Sequence, residues 1–269
     1  MTVRVKDLAD SARLADAYNA IAGIYDRGVE HSAWMRAELR RDFLATFRAG
    51  NRILDVGCGT GTEAAFLAAN GMRVTAMDVS PDMIERTRRR VDGLGLADRV
   101  ECIVADVRDL DTWPVGQYEG IISTFAALNM VNSLSSFSSD AARLLAPGGR
   151  MVLHLSNRFC IQELMSLMSR GHPRQAWRLG KMGDRSFMMA GRPMVIYLSA
   201  PHETYEWFFA REFELTRAYA LGIVRPYADQ KWMPGILRDS MGLIERGVRN
   251  RKPFVGWGRF FTLRLIKRD

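Results

Sequence analysis

A chain of 269 residues that is 48% apolar can fill the core of one large α/β domain, or of that domain with a cap. Three cysteines are too few, and odd in number, for a disulfide framework; with no leader-like opening and no long apolar run, they point to a cytoplasmic protein without a transmembrane segment. The net charge of +8 is uneven: residues 1–169 carry 19 Lys/Arg against 21 Asp/Glu, residues 170–269 carry 19 against 9. A near-neutral first half and a basic second half suit an anionic substrate, a nucleic acid, an acidic membrane surface or a plainly solvated face.

Residues 5–48 place apolar side chains at helical spacing, first Leu8, Leu14, Tyr18, Ile21 and Tyr25, then Trp34, Met35, Leu39, Phe43 and Phe47. Two helices divided near Arg27–Ser32 are expected. From 51 to 156 strand and helix patterns alternate, with strands near 51–56, 72–77, 99–104, 118–123 and 149–156 and helices near 62–70, 81–93 and 134–146. Such alternation builds a parallel sheet through right-handed crossovers, with ligands beyond the carboxyl ends of its strands. Gly148-Gly149 is read as the stop of the third of these helices.

The chemistry concentrates where the first strand ends. Ile53-Leu54-Asp55-Val56-Gly57-Cys58-Gly59-Thr60-Gly61-Thr62 carries an apolar run into a turn with glycines at alternate positions, followed by the helix former Glu63-Ala64-Ala65-Phe66-Leu67. Glycines let the backbone turn sharply and admit a ligand. The spacing is D-x-G-x-G-x-G, with Thr62 where a dinucleotide loop would have its last glycine, so no pyrophosphate is expected at the helix N-terminus. The second strand ends in Asp78, whose carboxylate can accept from both hydroxyls of a ribose, ahead of a helix opened by Ser80-Pro81. The third ends in Ala105-Asp106-Val107.

These residues resemble motif I and the following acidic positions of the class I S-adenosylmethionine-dependent methyltransferases, of the bacterial small-molecule type; the likeness is good over roughly 15–157. The resemblance implies a Rossmann-like seven-stranded sheet of order 3-2-1-4-5-7-6 with the last strand antiparallel, supplied here by strands at 213–221 and 260–266 around a helix at 234–247. It also implies an N-terminal helical lid over 1–50, a cofactor-binding core over 51–157, a substrate cap inserted at 158–205 and a return to the sheet over 206–269. The cofactor would be S-adenosylmethionine, with S-adenosylhomocysteine as product. Its expected site is Asp55, Gly57, Cys58, Gly59, Gly61 and Thr62 in the loop, Asp78, Val79 and Met83 on the ribose side, and Asp106 and Val107 at the adenine. Tyr25 of the lid and Thr124 and Phe125 after the fourth strand complete it.

Ser123-Thr124-Phe125-Ala126-Ala127-Leu128-Asn129 lacks the Asn/Asp-Pro-Pro-aromatic run of enzymes that methylate the amino groups of nucleic acids, and no Pro-Cys pair is present. Cys58, Cys102 and Cys160 read as small structural residues. Within the cap, helices are expected at 161–168 and 173–182 and a short strand at 193–198, and Met165, Met168, Met182, Met188, Met189 and Met194 would serve an adaptable apolar pocket or the core equally well. In-line displacement from a sulfonium needs alignment and exclusion of water, and a base only for a protonated nucleophile. The base candidates are His202 and His154, with His31 and His172 read as surface residues; no metal is expected. The reading is transfer of a methyl group to an O, N or C nucleophile of a small, partly apolar acceptor that can be anionic. The alternatives are an RNA-modifying methyltransferase and a non-catalytic protein that binds the same cofactor.

Overall fold

The computed structural model describes residues 3–132, 134–179, 183–227 and 233–268, with side chains except at 3–10, 27–31 and 179. His31 and Met182 therefore lie outside the described side chains. Two helices, α1 (Val3–His31) and α2 (Ala33–Thr46), precede the sheet and meet at Ser32, at the end of the region where the division was expected. Next come β1 (Arg52–Val56), α3 (Thr62–Ala69), β2 (Arg73–Asp78), α4 (Pro81–Gly93), β3 (Val100–Val104) and β4 (Tyr118–Ser123). The alternation closes with α5 (Leu134–Leu144) and β5 (Leu145–Ser156).

The chain then adds α6 (Ile161–Ser169), α7 (Pro173–Leu179) and an antiparallel hairpin of β6 (Asp184–Met189) and β7 (Arg192–Tyr197). A short α8 (Pro201–Thr204), β8 (Phe213–Leu221), α9 (Gly235–Val248) and β9 (Phe260–Lys267) complete it. The main sheet runs β3-β2-β1-β4-β5-β9-β8, with β9 antiparallel to both neighbours. This is the expected 3-2-1-4-5-7-6 order once the separate hairpin is set aside.

Alternation along β1 divides the core. Ile53 faces a cluster with Met35, Leu39 and Phe43 of α2 and Leu67 of α3, whereas Leu54 and Val56 face Phe137 and Ala141 of α5 across the sheet. Ser80 caps α4 by accepting from the Met83 amide at 3.1 Å, and Pro81 occupies its first turn, as the sequence indicates.

Two local readings need correction. Helix α5 stops at Leu144 and β5 begins at once, because Leu145, fully buried, pairs with Tyr118; the register then jumps to Gly120↔Arg150, and Gly148, at φ +67°, sits in the resulting bulge and does not terminate the helix. Strand β6 had no sequence-level counterpart. It is turned by Ala190-Gly191, both left-handed (φ +49° and +75°), the geometry of a two-residue hairpin turn.

Part of the C-terminal charge is paired across α2. Buried Glu38 pairs with Arg249 at 2.7 Å and Arg246 at 3.4 Å, and buried Asp42 pairs with Arg217 and Arg264. Burial works against the Glu38 charge, but Arg249 and Arg41 hold its carboxyl below the usual range. Four of the nineteen C-terminal cations, Arg217, Arg246, Arg249 and Arg264, are thus paired with α2.

Candidate cofactor site

The glycine loop is fixed by its own backbone. The amides of Gly57 and Cys58 both donate to the Met77 carbonyl at 2.9 Å, which ties the loop to the end of β2. Gly57 has φ +72°, and a Cβ there would lie 2.4 Å from that of Ala127, so the segment after β4 closes directly on the loop. Gly61, at φ +74°, lets α3 approach α4; a Cβ would lie 2.5 Å from the Thr87 methyl. Asp78 completes the arrangement: its Oδ2 accepts from the Gly59 amide and its Oδ1 from the Ser80 amide, both at 2.9 Å. Burial nonetheless raises its pKa above the usual carboxylate value.

Helix α1 is fastened across the loop at two points. Asp26 accepts from Thr60 Oγ1 at 2.6 Å and pairs with Arg90 of α4 at 2.8 Å, while Asn19 Oδ1 accepts from Ser80 Oγ at 2.5 Å. This brings Tyr18 and Tyr25 over the site, edge to face with centroids 6.5 Å apart. Burial pushes the Tyr25 hydroxyl up to about 12 and raises that of Tyr18 further, so both stay protonated donors.

Beneath α1 lies a cavity of about 160 Å³ at the carboxyl ends of β1, β2 and β4. Of the expected residues it brings together Tyr25, Gly57, Gly59, Asp78, Val79, Asp106, Val107, Thr124 and Phe125. Asp106 accepts from the Arg108 amide and guanidinium and from Ser11 of α1; burial opposes its charge, but these hydrogen bonds keep its pKa below the ordinary value.

Five expected residues do not line the cavity. Cys58 turns toward Thr87, Gly61 and Thr62 begin α3, Met83 is fully buried, and Asp55 lies under the loop on the α2 side of the sheet. Neither carboxylate oxygen of Asp55 has a hydrogen-bond partner among the described residues, and burial, reinforced by Glu63 and Asp78, raises its pKa well above the usual value. Asp55 is thereby a support beneath the loop and does not line the cavity.

Neither candidate base reaches the cavity wall. His154 of β5 is fully buried, stacked on Phe260 at 4.7 Å, with Nδ1 accepting from the Phe125 amide at 3.2 Å. Burial, aided by the Arg36 charge, lowers its pKa to about 3. His202 is exposed on α8, away from the cavity. His172 is exposed as expected, and the three cysteines are free thiols.

Apart from Tyr18 and Met194, the remaining wall was not foreseen. It comes from Arg13, Leu14 and Tyr18 of α1, Val56, Met77, Ala105 and Arg108, then Ala127, Leu128, Met130, Val131 and Asn132, and Pro193, Met194, Val195 and Tyr197 of β7. Of the five cap methionines singled out that are among the described residues, Met194 alone is part of the wall. Asn129 links the two new parts: its amide nitrogen donates to the Tyr197 carbonyl at 2.7 Å, and its oxygen accepts from the Ser156 amide at 2.8 Å. That Asn129 closes the quoted Phe-Ala-Ala-Leu-Asn run was the one available signal.

A doubly wound sheet with an antiparallel seventh strand, a glycine loop after β1 and an acid after β2 defines a methyltransferase-type α/β domain, and residues 53–149 match the family model described as a methyltransferase domain. Residues 53–149 are therefore similar to the methyltransferase domain of the class I S-adenosylmethionine-dependent methyltransferases. It is similar to a demethylmenaquinone methyltransferase of Tropheryma whipplei, 31% identical over 150 residues that cover 53% of this chain and 59% of that protein. It is also similar to a ubiquinone biosynthesis O-methyltransferase of Xanthomonas oryzae, 34% identical over 110 residues covering 41% and 45%. The chain thus matches about half the length of these curated relatives. A methyltransferase structure from Listeria monocytogenes shares the fold, with TM-score 0.60, 16% identity and coverage of 90% and 99%. Among the described residues no helix is long and apolar enough to cross a membrane, and no group of ligating side chains could hold a metal ion.

Proposed function

We propose that the protein binds S-adenosylmethionine in this cavity and directs its methyl group, in line, to an oxygen, nitrogen or carbon nucleophile of a small, partly apolar acceptor. The observation that carries the reading is Asp78, set in the cavity wall with each oxygen fixed by one backbone amide and still able to accept from a ribose hydroxyl. The residues fit the cofactor: Gly57 and Gly59 offer a left-handed backbone without Cβ atoms, and Val79 and Val107 give apolar walls for a flat ring. An amino group of that ring would take the place of Ser11 on Asp106.

When bound, S-adenosylmethionine supplies a methyl group on a sulfonium whose positive charge is lost on transfer. The chain's part is then to align the acceptor and to exclude water, which α1, held by Asp26 and Asn19, and β7, held by Asn129, do together. Tyr18 and Tyr25, protonated at any physiological pH, orient the acceptor as hydrogen-bond donors, and no step calls on His154 or His202 as a base. The names of the two curated relatives support a quinone-type acceptor as the class to test first.

The test is calorimetric titration with S-adenosylmethionine and S-adenosylhomocysteine, followed by mass spectrometry of quinone and phenol acceptors incubated with methyl-labelled cofactor. Wild type should bind both. Asp78→Ala should bind about a hundredfold or more weakly, since hydrogen bonds to a charged acceptor contribute about 1.5–3 kcal/mol each. Equal affinity in the variant, or no binding by wild type, would overturn the reading.

A further inference from the structure

Helix α9 is amphipathic in the unusual sense. Its inner face carries Gly242 and Glu245, and Glu245, 2% exposed, accepts from the amides of Gly222, Ile223, Val224 and Arg225. At about 100° per residue, Ile236 and Leu243 stand opposite Glu245, and Leu237 and Ile244 lie on one flank. They are 85%, 65%, 47% and 54% exposed. The side of α9 turned away from the protein is therefore its apolar one.

Helix α6 borders the same loop, since Gln162 donates to the carbonyls of Ile223 and Arg225. It contains no buried residue; Met165 and Met168, one turn apart on the Gln162 side, are exposed, as is Trp177 of the adjoining α7. Exposed apolar residues grouped in this way mark an interaction surface.

Charge identifies the partner. Residues 164–183 contain no acid and four cations, Arg170, Arg174, Arg178 and Lys181. The three arginines are exposed, and Arg251 and Lys252 stand exposed just beyond α9. A second copy of this face would set like charge against like. An anionic bilayer satisfies both features, taking the apolar arc between its headgroups and the arginines on its phosphates.

We propose that the α6–α7 and α9 face docks on the surface of an anionic lipid bilayer, with α9 lying in the headgroup plane. The β6–β7 hairpin, joined to α6 by the Arg185–Glu163 pair at 3.1 Å, forms one wall of the cavity, so docking would set the cavity near an acceptor dissolved in the membrane.

Flotation of the purified protein with vesicles tests this without any methyl transfer. It should float with vesicles of phosphatidylcholine containing 30% phosphatidylglycerol and not with phosphatidylcholine alone, and binding should fall at least about tenfold between 50 and 500 mM NaCl. Ile236→Glu with Leu243→Glu should reduce binding at least tenfold, and Arg174→Ser with Arg178→Ser severalfold, while cofactor affinity measured by calorimetry stays within twofold of wild type. The proposal is overturned if wild type does not float with the anionic vesicles, or if both double variants float as wild type does. It is overturned equally if sedimentation equilibrium shows a dimer that the Ile236→Glu/Leu243→Glu variant dissociates, for then the face belongs to a second copy.

Discussion

The buried histidine on β5 makes the stability of this protein depend on pH in a calculable way. His154 is fully buried, accepts from the Phe125 amide through Nδ1 and titrates at about 3, against 6.5 for an ordinary histidine. Between those values the unfolded chain binds a proton that the folded chain does not. The stability it confers is therefore complete above about pH 6.5 and declines as the pH falls toward 3. At pH 5.0 the unfolded group has gained about 1.5 units of protonation free energy, and at 1.36 kcal/mol per unit the loss relative to pH 7.5 is about 2 kcal/mol. Asp55 and Asp78 act in the opposite direction, because burial raises their pKa values and acidification favours their folded forms. The comparison must therefore be made within the protein. His154→Asn keeps an acceptor where Nδ1 lies and removes the titration. Urea denaturation of both proteins at pH 7.5 and 5.0 should show wild type losing about 2 kcal/mol more than the variant. The same loss in both would show that His154 is not buried as a neutral ring and would refute the reasoning.

Two further substitutions probe the loop and the closing helix. In Gly57→Ala the added methyl meets Ala127 at 2.4 Å in a left-handed backbone, at a cost of about 2–4 kcal/mol. The melting temperature should drop by roughly 5–10 °C and cofactor affinity more than tenfold, and a variant matching wild type in calorimetry and melting would contradict the loop geometry. Glu245→Ala removes the acceptor of four backbone amides and should lower the unfolding free energy by about 3–5 kcal/mol, with Glu245→Gln in between; a loss below about 1 kcal/mol in urea would count against the anchor.

The parts of this protein legible in its sequence are those set by short-range sterics and periodicity. The apolar run into Gly57, Gly59 and Gly61 marks a strand ending in a turn where residues with side chains are strained, and Ser80-Pro81 marks a helix start whatever lies around it. The regular alternation of patterns over 51–156 leaves few topologies open, and the resemblance of the motifs selected the observed strand order. Asp78 was readable because its place at the end of a strand is a local property.

Burial and long-range pairing decided the rest. No local pattern tells that Asp26 would meet Thr60 and Arg90, 34 and 64 positions away, or that Asn129 would hold Tyr197. His154 sits in an apolar run of β5, so the sequence left it open between a base and a buried core histidine, and the packing of Phe260 and Phe125 around it makes it the second. The cap methionines were interchangeable in the sequence, and the hairpin turn at Ala190-Gly191 then carried Met194 into the cavity while leaving Met165 and Met168 outside. A glycine's backbone freedom travels with the residue, whereas what a histidine, methionine or carboxylate does depends on the dielectric and the neighbours it meets, and those are supplied by the fold.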